Sequence, residues 1–201
     1  MYNKIVIGLD QSYARTGISI AADGKLLKVS YTEFKGCKTN IEKRKHLNKI
    51  LLHIIETNKN KTKNMFIICE RIRVFSGGRG ANPTFLKSTG ALVASITDLA
   101  YDYNIPVFSV DTRAWKTQVV GTAKIKDKWL KEIKPEKMEA IKFIAKLGFD
   151  CKEYSLDGSI KRSIKGKNKG KIKYIDDKAD SACMALYGFV PSSKQKLELE
   201  T

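Results

Sequence analysis

Lys4-Ile5-Val6-Ile7-Gly8-Leu9-Asp10 is the stretch on which the fold of this chain turns. An unbroken apolar run of strand length, closed by a carboxylate, reads as a strand buried on both faces. An ionised aspartate at its end is costly without a partner. Working outward, Gly17 to Ala22 reads as a second strand and Leu26 to Phe34 as a third, with Asp23-Gly24 as a hairpin signal between them. Asn40 is placed to cap a helix in which Ile41, Leu47, Ile50, Leu51, Ile54 and Ile55 recur at helical spacing, before the polar run Asn58 to Asn64. Met65 to Cys69 then repeats the opening pattern, a wholly apolar run that closes on Glu70.

After a glycine-rich loop, Gly77-Gly78-Arg79-Gly80, a long helix is expected from Asn82-Pro83 to about Asn104, with proline in its first turn. Val107 to Val110 reads as the fifth strand, and Asp111 caps a short helix through Trp115. Pro135 opens a helix with Met138, Ile141, Ile144 and Leu147 on one side, and the final helix runs from Asp176 to Tyr187. Residues 152–173, rich in Gly, Lys, Ser and Asn, read as a mobile loop or poorly ordered ribbon, and residues 191–201 as a disordered tail. The expectation is a single α/β domain over residues 1–190, a mixed five-stranded sheet flanked by helices.

Composition agrees with one packed domain: 201 residues, 42% hydrophobic and 29% charged. The apolar runs fall far short of the roughly 20 residues of a membrane span, and the N-terminus enters a strand without a signal-peptide pattern. No membrane partner is expected, and a cytoplasmic location, in a bacterial host cell, is. Cys37, Cys69, Cys151 and Cys183 are scattered and form no CxxC pair, so reduced, mostly buried thiols are expected. His46 and His53 fall on one face of the first helix without a third ligand and read as ordinary helix residues.

The net charge of +17 is unevenly spread. Residues 35–63 carry +7, residues 113–146 carry +6 and residues 152–173 carry +6, which leaves −2 on the remainder of the chain. Such clusters favour a polyanionic partner, because lysines that meet phosphates release condensed counterions. The acids meanwhile stand in particular places. Asp10 and Glu70 each end an apolar strand, and Asp176-Asp177-Lys178-Ala179-Asp180 opens the last helix. At about 100° per residue, Asp177 and Asp180 share one helical face, while Ala179, Ala182, Cys183 and Leu186 form the opposite, core-seeking stripe. Capping the helix dipole accounts for acids in a first turn, and leaving the core accounts for a strand-end acid. Four carboxylates converging would instead retain protons unless cations sat between them, and hard oxygen ligands suit Mg²⁺, with Mn²⁺ able to substitute.

Taken together, Ile7-Gly8-Leu9-Asp10, Cys69-Glu70, the stretch Lys116 to Gly121 and Asp177-Lys178-Ala179-Asp180-Ser181-Ala182 resemble RuvC-type Holliday-junction resolvases, in a form expected of a phage-encoded relative. The resemblance implies a ribonuclease H-like fold, a homodimer, and paired hydrolysis of four-way and other branched DNA junctions with two divalent ions. It places Asp10, Glu70, Asp177 and Asp180 on the family's metal-binding acids. It also makes Lys137, in Pro135-Glu136-Lys137, the candidate for stabilising charge at the reacting phosphate, with Lys116 and Lys124 as alternatives. Three features depart from the family, the first two being extra residues between Gly121 and Lys137 and the basic stretch before the last helix. The aromatic that follows the strand-end glutamate in bacterial members is replaced by Arg73, with Phe75 two residues later. Arg73, Phe75, Arg79, Lys116, Lys124, Lys161, Arg162, Lys165 and Lys167 are the candidate DNA contacts, the basic stretches holding phosphates without reading bases and Phe75 being either the displaced junction-stacking aromatic or a strand-to-helix packing residue. Small residues Gly90, Ala91 and Ala94 suit either a dimer interface or packing within the chain.

Two other readings use the same residues. One keeps DNA binding without cleavage. The other, an actin-like or sugar-kinase-like ATPase, rests on Gly8-Leu9-Asp10 followed by Thr16-Gly17, but a second glycine-rich nucleotide motif after the fourth strand is missing from the sequence. No nucleotide cofactor is expected.

Overall fold

The computed structural model describes residues 1–72, 83–121, 135–155, 159–163, 169–170 and 172–200, with backbone alone at 83, 85 and 135–137. Strands β1 (Ile5–Asp10), β2 (Arg15–Ala22) and β3 (Lys25–Glu33) form an antiparallel meander. At its tight turn Asp23 and Gly24 both take positive φ, 46° and 81°, as a two-residue hairpin of this hand requires. β1 also pairs in parallel with β4 (Met65–Glu70), and β4 with β5 (Val107–Val110).

Among the described residues the sheet has six strands, in the order β3-β2-β1-β4-β5-β6, one more than the expected five. The sixth, β6 (Leu197–Leu199), lies in the segment expected to be disordered, and pairs antiparallel with β5. Its Leu-Glu-Leu alternation suits a half-exposed edge strand, and it covers backbone groups that β5 would otherwise leave at an open edge. Two bonds to the end of the last helix hold it there: the Gln195 side chain donates to the Tyr187 carbonyl at 3.1 Å, and the Lys196 N–H donates to the Tyr187 hydroxyl at 2.7 Å.

Period-two alternation splits β1 between two cores. Ile5, Ile7 and Leu9 join Ile67 against Leu47 and Leu51 of α1 (Asn40–Asn58) and Leu92 and Ile96 of α2 (Pro83–Tyr101). Val6 and Ile68 join Trp115 of α3 (Thr112–Trp115), Ile141 and Ile144 of α4 (Pro135–Lys146), and Cys183 and Tyr187 of α5 (Asp176–Tyr187). Apolar burial on both faces is why the run has no polar alternation.

Boundaries shift where local hydrogen bonding decides. The cap of α1 is Thr39 rather than Asn40, because Thr39 and Glu42 form a reciprocal capping box. α2 stops at Tyr101, short of Asn104, which takes φ 54° in the closing turn. Leu147 falls just beyond α4 and is exposed, unlike Met138, Ile141 and Ile144. Described parts of 152–173 pair as an irregular ribbon, with bridges Lys152 to Tyr174, Tyr154 to Ile160 and Arg162 to Ile172. All four cysteines are free thiols, and burial pushes Cys151 up to about 11. His46 meets the Thr32 hydroxyl at 3.2 Å and the edge of Phe34.

Candidate active site

Period two also aims the strand-end acids. Asp10 shares a face of β1 with Val6 and Gly8, and Glu70 shares a face of β4 with Phe66 and Ile68, so both face the layer of α4 and α5. Their register brings them close: β1 and β4 are adjacent and parallel, with Leu9 opposite Cys69.

α5 reaches them because two glycines let it lie against the sheet. A Cβ at Gly17 would stand 1.8 Å from the Asp177 carbonyl oxygen, and one at Gly8 would stand 2.1 Å from the Ser181 carbonyl oxygen. Only hydrogen fits at either place. Gly17 faces Asp10 across the β1–β2 pair, and Gly8 faces Ser19, whose hydroxyl meets that of Ser181 at 2.8 Å in full burial. The start of the helix, with Asp176 and Asp177 in its first turn and Asp180 in its second, is thereby held beside the end of β1.

The electrostatics register that proximity. Part of Asp10 reaches solvent at the strand end, but its carboxyl group lies deep; burial first, then the negative charges of Asp180, Glu70, Asp177 and Asp176, hold it well above the ordinary carboxylate range. Glu70 is fixed twice. The Gln11 side chain donates to the Glu70 carbonyl at 2.7 Å and accepts its N–H at 3.1 Å, and the Thr112 hydroxyl donates to the Glu70 carboxylate. Arg15, at the start of β2, donates through Nε to Asp177 and lies 3.5 Å from Asp176.

These carboxylate oxygens are the donor chemistry that Mg²⁺ or Mn²⁺ takes, and the held-up Asp10 carboxyl is the kind of strain that a cation relieves. The arrangement is open rather than a closed cage. Among the described residues, no three His, Cys, Asp or Glu side chains stand close enough to hold an ion together.

No protein-family model matches the chain, and no curated protein matches it in sequence. Its architecture does have counterparts among solved structures. Thermus thermophilus RuvC in complex with a Holliday junction substrate superposes over 98% of this chain and 99% of its own, with TM-score 0.63 and 12% identity. A second Thermus thermophilus RuvC structure covers 92% of this chain and 95% of its own, with TM-score 0.56 and 14% identity. The fold is that of a RuvC-type resolvase. The yeast mitochondrial Holliday junction resolvase Ydc2 shares it at TM-score 0.50 and 16% identity, over 92% of this chain and 78% of its own.

On this RuvC fold, Asp10, Glu70, Asp177 and Asp180 lie toward one end of the sheet, while the described basic candidates are spread more widely. Lys116 opens a π-type turn, Lys116–Val120, with its ammonium 5.0 Å from the Trp115 ring. Lys161 is in an ion pair with Glu153 at 2.8 Å, and Arg162 donates to the Gly170 carbonyl, both on the ribbon. Of Lys137 only the backbone, in the first turn of α4, is described. Arg73, Phe75, Arg79, Lys124, Lys165 and Lys167 lie outside the described residues. Sequence reasoning missed Gln11, Arg15 and Thr112. Gln11 opens the loop after Asp10 and Arg15 begins β2 at that loop's end, and Thr112 follows the helix cap Asp111; nothing in their spacing marked them, because each acts through the tertiary pairing of β1, β2, β4 and β5.

Proposed function

We propose that the chain is a divalent-metal-dependent endonuclease that resolves four-way DNA junctions, other branched DNA forming a wider substrate range. One observation carries the reading: on a RuvC fold, the buried Asp10 carboxyl at the end of β1 feels the negative charge of Glu70 from β4 and of Asp180 and Asp177 from α5. In this reading Asp10, Glu70, Asp177 and Asp180 are the ligands for Mg²⁺, and Gln11 and Thr112 orient Glu70. A divalent ion held there supplies Lewis acidity toward a phosphodiester and offsets the charge of the acids. Lys137 is the candidate to stabilise charge at the reacting phosphate, and the basic stretches hold the DNA arms. The low identity of the matched structures leaves the cut-site sequence to this chain's own residues.

Paired nicks on a junction call for two sites, and a homodimer supplies them by symmetry. The outward side of α2 supports that assembly: Ala94 is exposed, and a side chain at Gly90 would meet open space rather than this chain's own core.

The test is incubation of the purified protein with a synthetic four-way junction and Mg²⁺ or Mn²⁺. Paired nicks are expected, with Asp10→Asn and Glu70→Gln binding the junction without cutting it. Intact junctions in both metals, or an active Asp10→Asn variant, would overturn the assignment. The Arg15–Asp177 ion pair favours a second reading, a junction-binding protein without cleavage, which the same assay separates from the first.

A further inference from the structure

At the ends of β4 and β5 lies a cleft of about 530 Å³ that the catalytic reading does not use. Different residues serve the two places. Glu70 and Thr112 bond each other at the acid site, whereas their neighbours Arg71 and Asp111 line the cleft. Arg113 lines it from α3, and Lys194 and Lys196 line it from the C-terminal segment. Among the described residues the lining thus brings four cations to one carboxylate, Asp111, and the residues 191–201 that carry two of them were expected to be disordered.

The cleft is built, not incidental. The Arg71 N–H donates to the Val110 carbonyl at 2.8 Å, and its guanidinium meets Glu198 of β6 at 2.7 Å, so it ties the C-terminal strand to the end of β4. Its Nε–H is buried and makes no hydrogen bond among the described residues. The two bonds to Tyr187 fix Gln195 and Lys196, and Lys194 closes a short 3₁₀ turn, Ser192–Lys194. Among the described residues Arg113, Lys194 and Lys196 are in no ion pair. Cations held close together in a polar cleft repel one another, and a polyanion removes that repulsion.

We infer that this cleft is a second phosphate-binding site, in which Arg71, Arg113, Lys194 and Lys196 grip the phosphodiester backbone of a DNA strand next to the acidic centre. The C-terminal segment then belongs to the DNA-binding surface as well as to the sheet. The inference rests on the nuclease reading for the identity of the polyanion.

The experiment is fluorescence anisotropy of the full chain on a labelled four-way junction in EDTA, across a series of KCl concentrations. Each phosphate contact contributes about 0.9 to the slope of log affinity against log salt. Lys194→Ala/Lys196→Ala should flatten that slope by roughly 2 and weaken binding at every salt concentration tested. Lys25→Ala/Lys28→Ala, on exposed positions of β3, removes the same charge and should keep the wild-type slope. Arg113→Gln, which leaves the C-terminal segment untouched, should flatten the slope by about 1 and serves if the double variant folds poorly. A wild-type slope in both cleft variants, or equal flattening in the β3 control, overturns the inference. If those slopes stay unchanged while the wild-type protein still cuts junctions, only the cleft assignment fails; a wild-type protein that neither binds nor cuts DNA ends the nuclease reading with it.

Discussion

The two faces of the sheet are closed by different means. On the α1–α2 face, branched side chains fill the space: Ile5, Ile7 and Leu9 pack on Leu47, Leu51, Leu92 and Ile96, all almost wholly buried. On the α5 face the same strand offers Val6, Gly8 and Asp10, and the helix backbone rests where a Cβ would have been. Bulk holds the first face, and its absence shapes the second. A helix that approaches this closely brings the acids of its first turn toward the strand ends, so the packing of Gly8 and Gly17 is also what would assemble the proposed ion site. One face can therefore lose volume without losing chemistry, while the other can lose neither.

The largest effect that distinguishes the faces should come from Leu51→Ala. Leu51 is fully buried in the bulky core, so truncation should cost about 2–5 kcal/mol of stability. Denaturant unfolding measures that loss, and below the melting transition the surviving native protein should still cut junctions. Gly17→Ala should cost about 1–3 kcal/mol by overpacking, less than the cavity, but it should abolish cleavage by native protein, since the new methyl must push Asp177 away from Asp10. If Gly17→Ala remained active while Leu51→Ala was inactive at equal folded fraction, the contrast between the faces would be wrong.

That contrast also explains what could be read from the sequence. The apolar runs at Ile5 and Met65 are local patterns, so the buried strands and their terminal acids were legible, and the wheel of α5 gave the shared face of Asp177 and Asp180. Gly8 and Gly17 carry no local signal of close approach, because the constraint comes from a helix some 160 residues later in the chain. Arg15 and Gln11 were missed for the same reason. The C-terminal strand was missed because Leu197-Glu198-Leu199 is too short to declare itself; its order comes from the β5 edge, Tyr187 and Arg71.

Asp10→Asn should make the protein more stable and less useful. The folded-state carboxyl titrates above its ordinary value of 3.8, so the folded chain holds a proton that the unfolded chain releases. Asp10 therefore subtracts stability as pH rises from that ordinary value through its raised one, and the full penalty is present above both. Asparagine removes the charge with little change of shape. At neutral pH in EDTA the variant should melt higher, by roughly 2–4 °C for each kcal/mol of relieved repulsion, and the gain should vanish below the ordinary aspartate range. Equal melting temperatures for the two proteins at neutral pH would mean that Asp10 carries no such penalty.

The smallest effect, and the finest probe of the acidic face, is Arg15→Gln. Arg15 is half-buried and offsets Asp177 and Asp176, the two charges that weigh least on Asp10. Its loss should destabilise the chain by about 1 kcal/mol, a shift of roughly 2–4 °C read in EDTA. A cation bound among the acids replaces the missing guanidinium, so saturating Mg²⁺ should stabilise Arg15→Gln more than the wild-type protein. The opposite ranking would mean that Arg15 helps to build the ion site rather than to stand in for its charge. In that case Asp177 would depend on Arg15 for its orientation as Glu70 does on Gln11, and both ends of the acidic face would be set by the loop that follows β1.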